Sequence, residues 1–290
     1  MLGALLFVLP RFETVASSII PAYVLTIVYL VGPLSAVLQL IPFLAKAAVS
    51  LRKVESLGLS WQDPLAEFEP PAMPNVDSWR RLELIGVTHR YRREHSDDDF
   101  ELGPIHLSLD AGELLFLVGG NGSGKSTLAK LITGLYVPET GEIRVDGVLV
   151  TDAERGAYRE RFSMVSADFY LFERLLGLTG NDLAQRAEDY LKQLQLAHKT
   201  KIEDGRLSTT ALSQGQRKRL ALLIAYLEDR PVYIFDEWAS DQDPVFKSVF
   251  YNQLLPELKR RGKSVLVISH DERYFPNADR VLRMDYGKLA

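Results

Sequence analysis

Apolar residues are distributed along this chain in two regimes. Across residues 14–45 they run on without a single charged side chain. From about residue 81 onward they come in short bursts, separated by polar and glycine-containing turns. The first regime exceeds the ~20 residues that a helix needs to cross a bilayer core. It predicts one membrane-spanning helix over roughly 19–44, with Pro33 and Pro42 as points where it can bend. Lys46, Arg52 and Lys53 follow directly, so the positive-inside rule places the C-terminal side in the cytosol. Residues 1–10 are apolar but too few to span. They read as the tail of another membrane helix, with Arg11, Phe12 and Glu13 near the outer surface, and the sequence reads as starting partway through something longer. A signal peptide fits poorly, because no basic residue precedes the apolar run.

The second regime predicts strands at 82–87, 105–109, 114–118, 142–145, 162–165, 232–235 and 264–268. Helices are expected near 126–133, 181–194, 213–227 and 244–259. The stretch from 171 to 226 lacks strand signals and reads as a helical insertion. Between the regimes, residues 46–80 begin as a helical extension and then turn polar, with prolines at 64, 70, 71 and 74, the composition of a linker. The expected organisation is a transmembrane segment over 1–50 (the end of one helix plus one full helix), a linker over 51–80 and an α/β domain over 81–290.

Composition narrows the chemistry. With no cysteine, disulfides, thiolate metal sites and thiol nucleophiles are excluded together. A net charge of −4 offers no basic field for nucleic acid. The histidines are scattered, without an H-x-x-x-H pair, so they do not point to a metal centre.

Residues 119–127, Gly-Gly-Asn-Gly-Ser-Gly-Lys-Ser-Thr, fit G-x-x-x-x-G-K-[ST]. Polyphosphate oxygens need many donors close together, and glycines let the backbone curl so that successive N–H groups point inward. Gly119, Asn121, Gly122, Ser123, Gly124 and Thr127 would supply that cradle. Lys125 would set its charge against the β- and γ-phosphates, and Ser126 would offer a hydroxyl to Mg²⁺. The following helix adds its N-terminal dipole. An apolar strand precedes the loop and a helix follows it, as the motif requires.

A second apolar strand ends in Asp236 and Glu237. Asp236 can hold the metal's hydration shell, and Glu237 can orient and deprotonate an attacking water. A third, over 264–268, leads into His270, which would sit beside Glu237 if both strands share one sheet. Residues 212–217, Leu-Ser-Gln-Gly-Gln-Arg, open a strong helix with Ser213 as N-cap, a second anion site far along the chain from the first.

Residues 212–216 resemble the LSGGQ signature of ABC ATPases, with Gln214 in place of the first glycine. The order of the elements is also that of the family: phosphate loop, signature, acidic strand, histidine switch. The resemblance makes 81–290 an ABC ATP-binding domain of the P-loop NTPase α/β fold with a helical subdomain. It assigns Tyr91 to adenine stacking and Asp243 to the D-loop. The stretches 112–127, 236–244 and 269–275 are similar to cyclic-peptide and siderophore-type ABC exporters, and Trp238 and Gln242 suit that subgroup. The helix over 19–44 then resembles the last transmembrane helix of such an exporter.

What the resemblance implies is an ATP- and Mg²⁺-dependent engine in a bacterial inner membrane, in contact with lipid, its ATPase domain cytoplasmic and its cargo a modified peptide or siderophore precursor. Two domains would close face to face, as a homodimer or with a second ABC half-transporter. Lys125 and Ser126 of one copy, with Ser213 and Gly215 of the other, would enclose each γ-phosphate, and Gln216 of the signature counts among the nucleotide-binding residues. No nucleic acid enters this scheme, and the uncharged run opposes a soluble ABC ATPase acting on ribosomes or DNA. A lipid or multidrug exporter, or a membrane-anchored ATPase without transport of its own, is the alternative. Two features depart from the family. Ala167 stands where most members carry the Q-loop glutamine, leaving Asp168 or a water to substitute. The family also has a full set of membrane helices before the ATPase, whereas this chain has one and the end of another.

Overall fold

The uncharged run forms one helix, α1 (Ile20–Ser56), in a computed structural model that describes residues 20–56, 79–91, 100–175, 183–203 and 205–290. α1 runs unbroken through Pro33 and Pro42 and continues well past the expected end at 44. The start of the connector is therefore helical as far as Ser56, and its proline-rich part falls outside the described residues. Leu25, Tyr29, Leu34 and Phe43 of α1 are exposed. A helix that is apolar on every side has no polar face to turn to water and requires apolar surroundings. The described residues divide into two units, one within Met1–Phe68 and one within Glu69–Ala290.

The second unit is an α/β domain built on two sheets. The first sheet is antiparallel, in the order β2-β1-β4-β5, from β1 (Arg81–Tyr91), β2 (Phe100–Asp110), β4 (Thr140–Val145) and β5 (Val148–Leu149). The second has the order β12-β11-β3-β10-β9-β6. It is formed by β3 (Leu114–Gly119), β6 (Phe162–Val165), β9 (Val232–Asp236), β10 (Ser264–Ile268), β11 (Arg280–Asp285) and β12 (Lys288–Leu289). Its central strands read as uninterrupted apolar runs because both faces are covered. Successive side chains of a strand point to opposite faces. Leu115 and Leu117 of β3 thus pack with Leu82, Leu84 and Val87 of β1 and with Leu128 of α2 (Lys125–Ile132). Phe116, Phe235 and Val267 pack on the other face, with Trp238, Phe250 and α5 (Gln214–Glu228).

The expected strands are all present, and β1 and β2 are longer than their sequence signals. The additions are β11 and β12, the short β5, and a two-residue hairpin of β7 (Ile202–Glu203) and β8 (Arg206–Leu207) inside the helical insertion. The described helices also include α3 (Arg155–Arg159) and α4 (Leu183–Gln193), the latter within the span expected near 181–194. The helix expected over 244–259 is interrupted. It divides into α6 (Pro244–Val249), a π-turn (Phe250–Leu254) and α7 (Leu255–Arg260). Pro256 has no N–H to give the carbonyl of Asn252, and the ladder widens there.

The π-turn delivers Phe250 to the centre of the larger core. Its ring centroid lies 4.3 Å from that of Trp238 and 5.3 Å from that of Phe235, and it is fully buried. Phe250→Ala is expected to lower the free energy of urea unfolding of the full chain by about 3–5 kcal/mol. Phe250→Leu keeps most of the volume and should cost only ~1–2 kcal/mol.

Candidate functional site

Three parallel strands end side by side. Ile268 of β10 is in register with Leu117 of β3 on one flank and with Asp236 of β9 on the other. The residues that follow these strands are the phosphate loop, Glu237 and His270, so one sheet edge gathers chemistry from distant parts of the chain.

The loop after β3 curls around its own lysine. Lys125 Nζ donates to the carbonyls of Gly119 and Gly120, both at 2.9 Å, which uses two of its three hydrogens. Gly124 precedes α2 with φ +104°, a conformation that side chains avoid. Gly119 has no room for one: a Cβ there would lie 2.1 Å from the carbonyl oxygen of Met284 on β11. The turn after β11 closes the other side, with Gly287 N–H donating to Ser123 O at 2.9 Å. A cleft of about 430 Å³ opens above the loop, lined by Phe100, Asn121, Gly122, Gly124, Lys125, Ser126, Thr127 and Glu237.

Asp236 is 2% exposed. Burial raises its carboxyl above the ordinary range, Glu237 adds to the shift, and the Ser126 hydroxyl and Lys125 oppose it. Its Oδ1 has no hydrogen-bond partner among the described residues. A buried carboxylate oxygen without a donor, next to a serine hydroxyl, suits a hard dication such as Mg²⁺. Burial likewise pulls the Lys125 ammonium below its ordinary value, with Glu237 and Asp236 acting against that.

Glu237 adopts φ +50°, a left-handed conformation that costs a residue of this type about 1–3 kcal/mol. Its N–H donates to Ile268 O at 3.1 Å. Its Oε1 lies 3.3 Å from His270 Nε2, the adjacency expected from the sequence. The turn carrying His270 is anchored below by Ser269, whose Oγ meets Tyr251 Oη at 2.6 Å and accepts from Asp271 N–H at 3.0 Å.

The second anion element lies elsewhere. Ser213 caps α5 in a two-way capping box: its Oγ accepts from Gln216 N–H at 3.4 Å, and its N–H donates to Gln216 Oε1 at 3.2 Å. Ser213, Gly215 and Gln216 do not line the cleft. The helix start borders the turn after β9 instead, through Gln214 and Gly215. Gln242 Nε2 donates to Gly215 O at 3.0 Å, and Gln214 Nε2 to Asp241 Oδ2 at 3.2 Å. Gln214, the departure from the family signature, therefore ties the helix start to that turn. Asp243 caps α6 by accepting from Phe246 N–H at 2.9 Å, and it pairs with Arg219 at 2.6 Å.

Ala167 and Asp168 are exposed just beyond the end of β6. Tyr91 ends β1, in register with Phe100 at the start of β2. Phe100 went unnoticed in the sequence. Its ring packs on Gly124, where a Cβ would come within 3.2 Å of it. The usable signal was an aromatic residue across the hairpin from Tyr91.

Comparison with known proteins agrees with this geometry. Residues 102–240 match the family model described as ABC transporter. The chain is 46% identical to the ATP-binding protein SyrD of Pseudomonas syringae pv. syringae, over 100% of this chain and 53% of that protein. It is 34% identical to the ATP-dependent lipid A-core flippase of Haemophilus influenzae, over 72% of this chain and 37% of that protein. The chain thus spans about half, or less, of the length of these relatives. Among solved structures, a bacterial Atm1-family ABC exporter with ATP bound aligns with TM-score 0.67 at 21% identity, over 93% of this chain and 48% of that one. A dimeric bacterial ABC transporter cassette aligns with TM-score 0.61 at 24% identity, over 72% of this chain and 96% of that one. Both structural likenesses concern the fold.

The raised carboxyl of Asp236 has a consequence for stability. Between the ordinary aspartate range and its raised value, the folded protein holds a proton that the unfolded chain has released. Stability therefore falls as pH rises through that window. Asp236→Asn should abolish this fall and raise the thermal midpoint of nucleotide-free protein at pH 7, by ~2–4 °C for each kcal/mol relieved. The same variant should lose the extra thermal stabilisation that Mg²⁺ adds to nucleotide. Melting curves between pH 4 and pH 8, with and without Mg²⁺ and nucleotide, check both.

Proposed function

The chain carries an ABC transporter ATPase domain, and we propose that it powers export of a modified or cyclic peptide, or a siderophore precursor, across a bacterial inner membrane. The observation that carries the catalytic part is the meeting of Lys125, Asp236, Glu237 and His270 at the ends of three neighbouring strands. Lys125 and the loop N–H groups hold the β- and γ-phosphates of ATP. Ser126 and Asp236 would hold Mg²⁺, which when bound neutralises charge on the phosphates. Glu237 orients the attacking water and takes its proton. With a hydrogen on Nε2, His270 donates to Glu237 and fixes the direction of that carboxylate. Phe100, in backbone register with Tyr91, lines the cleft and offers aromatic surface to the adenine, the role that the family resemblance gives to Tyr91.

The separation of Ser213, Gly215 and Gln216 from the cleft of their own chain favours a face-to-face dimer. A homodimer or a pair with a second ABC half-transporter would bring that capped helix to the γ-phosphate of the opposite copy. Asp243, which ends the turn after β9, would lie at the same interface. Val28–Leu51 of α1 is 24 residues long with mean hydropathy 1.8 and is not buried. At 1.5 Å per residue it spans ~36 Å, enough for a bilayer core of ~30 Å. We read it as the membrane anchor, with the ATPase on the cytoplasmic side.

The cargo class rests on the stretches 112–127, 236–244 and 269–275. It is supported by an alignment with SyrD that runs the whole length of this chain, α1 included. The likeness to lipid A-core flippases favours a lipid cargo as the second reading. Reconstituted in proteoliposomes, hydrolysis should rise at least about twofold with a cyclic lipopeptide or peptide siderophore precursor and stay level with lipid A. The reverse pattern would move the assignment to lipid.

For the chemical step, Glu237→Gln should reduce ATP turnover by about 10²-fold or more and leave ATP affinity within a few-fold. Steady-state hydrolysis and equilibrium nucleotide binding measure the two separately. Wild-type turnover in this variant would remove Glu237 as the base.

A further inference from the structure

Glu237 sits in a backbone conformation it would not choose, so its neighbours must hold it there. On the amino side, Ile268 O accepts its N–H. On the carbonyl side, the oxygen accepts from Ser240 N–H at 3.2 Å and Ser240 Oγ at 2.7 Å. Both of these belong to the same short turn. The remaining donor comes from a different element: Lys218 of α5, whose Nζ lies 3.0 Å from Glu237 O.

Lys218 is spent on this turn. Its ammonium also contacts Ser240 Oγ at 3.0 Å and pairs with Asp241 Oδ2 at 2.7 Å, one partner for each hydrogen it carries. Its side chain is 3% exposed, while that of Asp241 is 39% exposed. The tie runs in both directions, since Trp238 Nε1 donates to Lys218 O at 2.8 Å. A cation buried this far, with its hydrogens divided among one peptide oxygen, one hydroxyl and one carboxylate, fixes a geometry as well as filling space. It does not line the cleft.

We propose that Lys218 is a positioning residue for ATP hydrolysis, holding the Glu237 peptide so that the carboxylate stays aimed at His270 and the phosphate-loop cleft. The inference rests on the ATPase reading above. It also gives α5 a second task. The helix whose capped start carries Ser213 and Gly215 touches the base of its own chain through one side chain. A displacement of α5 at its N-terminus therefore reaches Glu237 directly.

The test uses the full chain in detergent, comparing wild type, Lys218→Met, Lys218→Arg and Glu237→Gln. Lys218→Met should lower kcat about 10-fold or more, because small misplacements of a base are costly, while ATP affinity stays within about twofold. Lys218→Arg, which can still donate to the carbonyl and to Asp241, should recover most of the rate. In a Glu237→Gln background, Lys218→Met should have no further effect, because the two act as one unit. Should Lys218→Met fail to fold, Lys218→Gln carries the same test, with a drop of at least about fivefold expected.

A kcat within twofold of wild type in the neutral variants would overturn the proposal. So would a loss of affinity that parallels the loss of rate, or an undiminished effect in the Glu237→Gln background. A wild-type chain that binds ATP and turns none over would overturn the ATPase reading itself, and this inference with it. Normal turnover in wild type, lost in Glu237→Gln but kept in Lys218→Met, would overturn the inference alone.

Discussion

The register of three parallel strands is the constraint on which the site depends. Backbone hydrogen bonds set Ile268 opposite both Leu117 and Asp236. A parallel ladder makes its strands end at the same edge, so three loops from remote parts of the sequence share one surface. The phosphate loop, Glu237 and His270 need no further device to meet. The cores on the two faces of the sheet, one with the β1 sheet and one with α5 and the π-turn, make that edge rigid. A one-residue slip of β9 would invert its side chains, turn Phe235 from one core towards the other and carry Asp236 off the edge.

That rigidity is used to keep charges where water would not leave them. Asp236 and Lys125 are both almost fully buried, and each is shifted towards its neutral form by burial. Removing charge from water is costly unless the partners are already in place. Within the described residues the compensation is partial: Lys125 has two loop carbonyls, while Asp236 Oδ1 has no donor. An arrangement left incomplete in this way favours a ligand that brings both signs, phosphate oxygens for the lysine and a dication for the aspartate. The left-handed backbone of Glu237 is part of the same design, a local strain retained because several contacts from different elements hold it.

How much of this was legible in the sequence depends on whether a signal is local. The phosphate loop was legible because its glycines, lysine and serine lie within a few residues and act through the backbone. The Glu237–His270 contact was legible because both residues end apolar strands that belong in one sheet. β11 was not, since Arg280 and Arg283 break its apolar run and its partners are remote. Phe100 gains meaning only from a hairpin register, and Lys218 only from a turn 19–23 residues further along. A lysine in a helix ordinarily reads as a solvated residue, and nothing around Lys218 in the sequence marks it as buried. The span 244–259 is helical as expected, but the π-turn at Phe250–Leu254 inside it is not legible from apolar spacing, since it follows from Pro256 one turn on, which has no N–H for the carbonyl of Asn252.

The position of α5 carries the argument from a single chain to an assembly. Its N-terminus is capped by its own side chains and braced by Gln214 and Gln242 against the turn that begins at Glu237. A helix start presents N–H groups and the positive end of its dipole, which favour anions, yet this one does not border the phosphate cleft of its own chain. If that start receives the γ-phosphate of a second copy, the bracing acquires a purpose. Arg219 contacts Gln242 and Asp243, and Lys218 donates to the Glu237 carbonyl, so α5 is tied both to the start of α6 and to the turn at Glu237. Under that reading, hydrolysis in each copy depends on the closure of both, which is the property an engine needs if it is to couple nucleotide turnover to the movement of membrane helices.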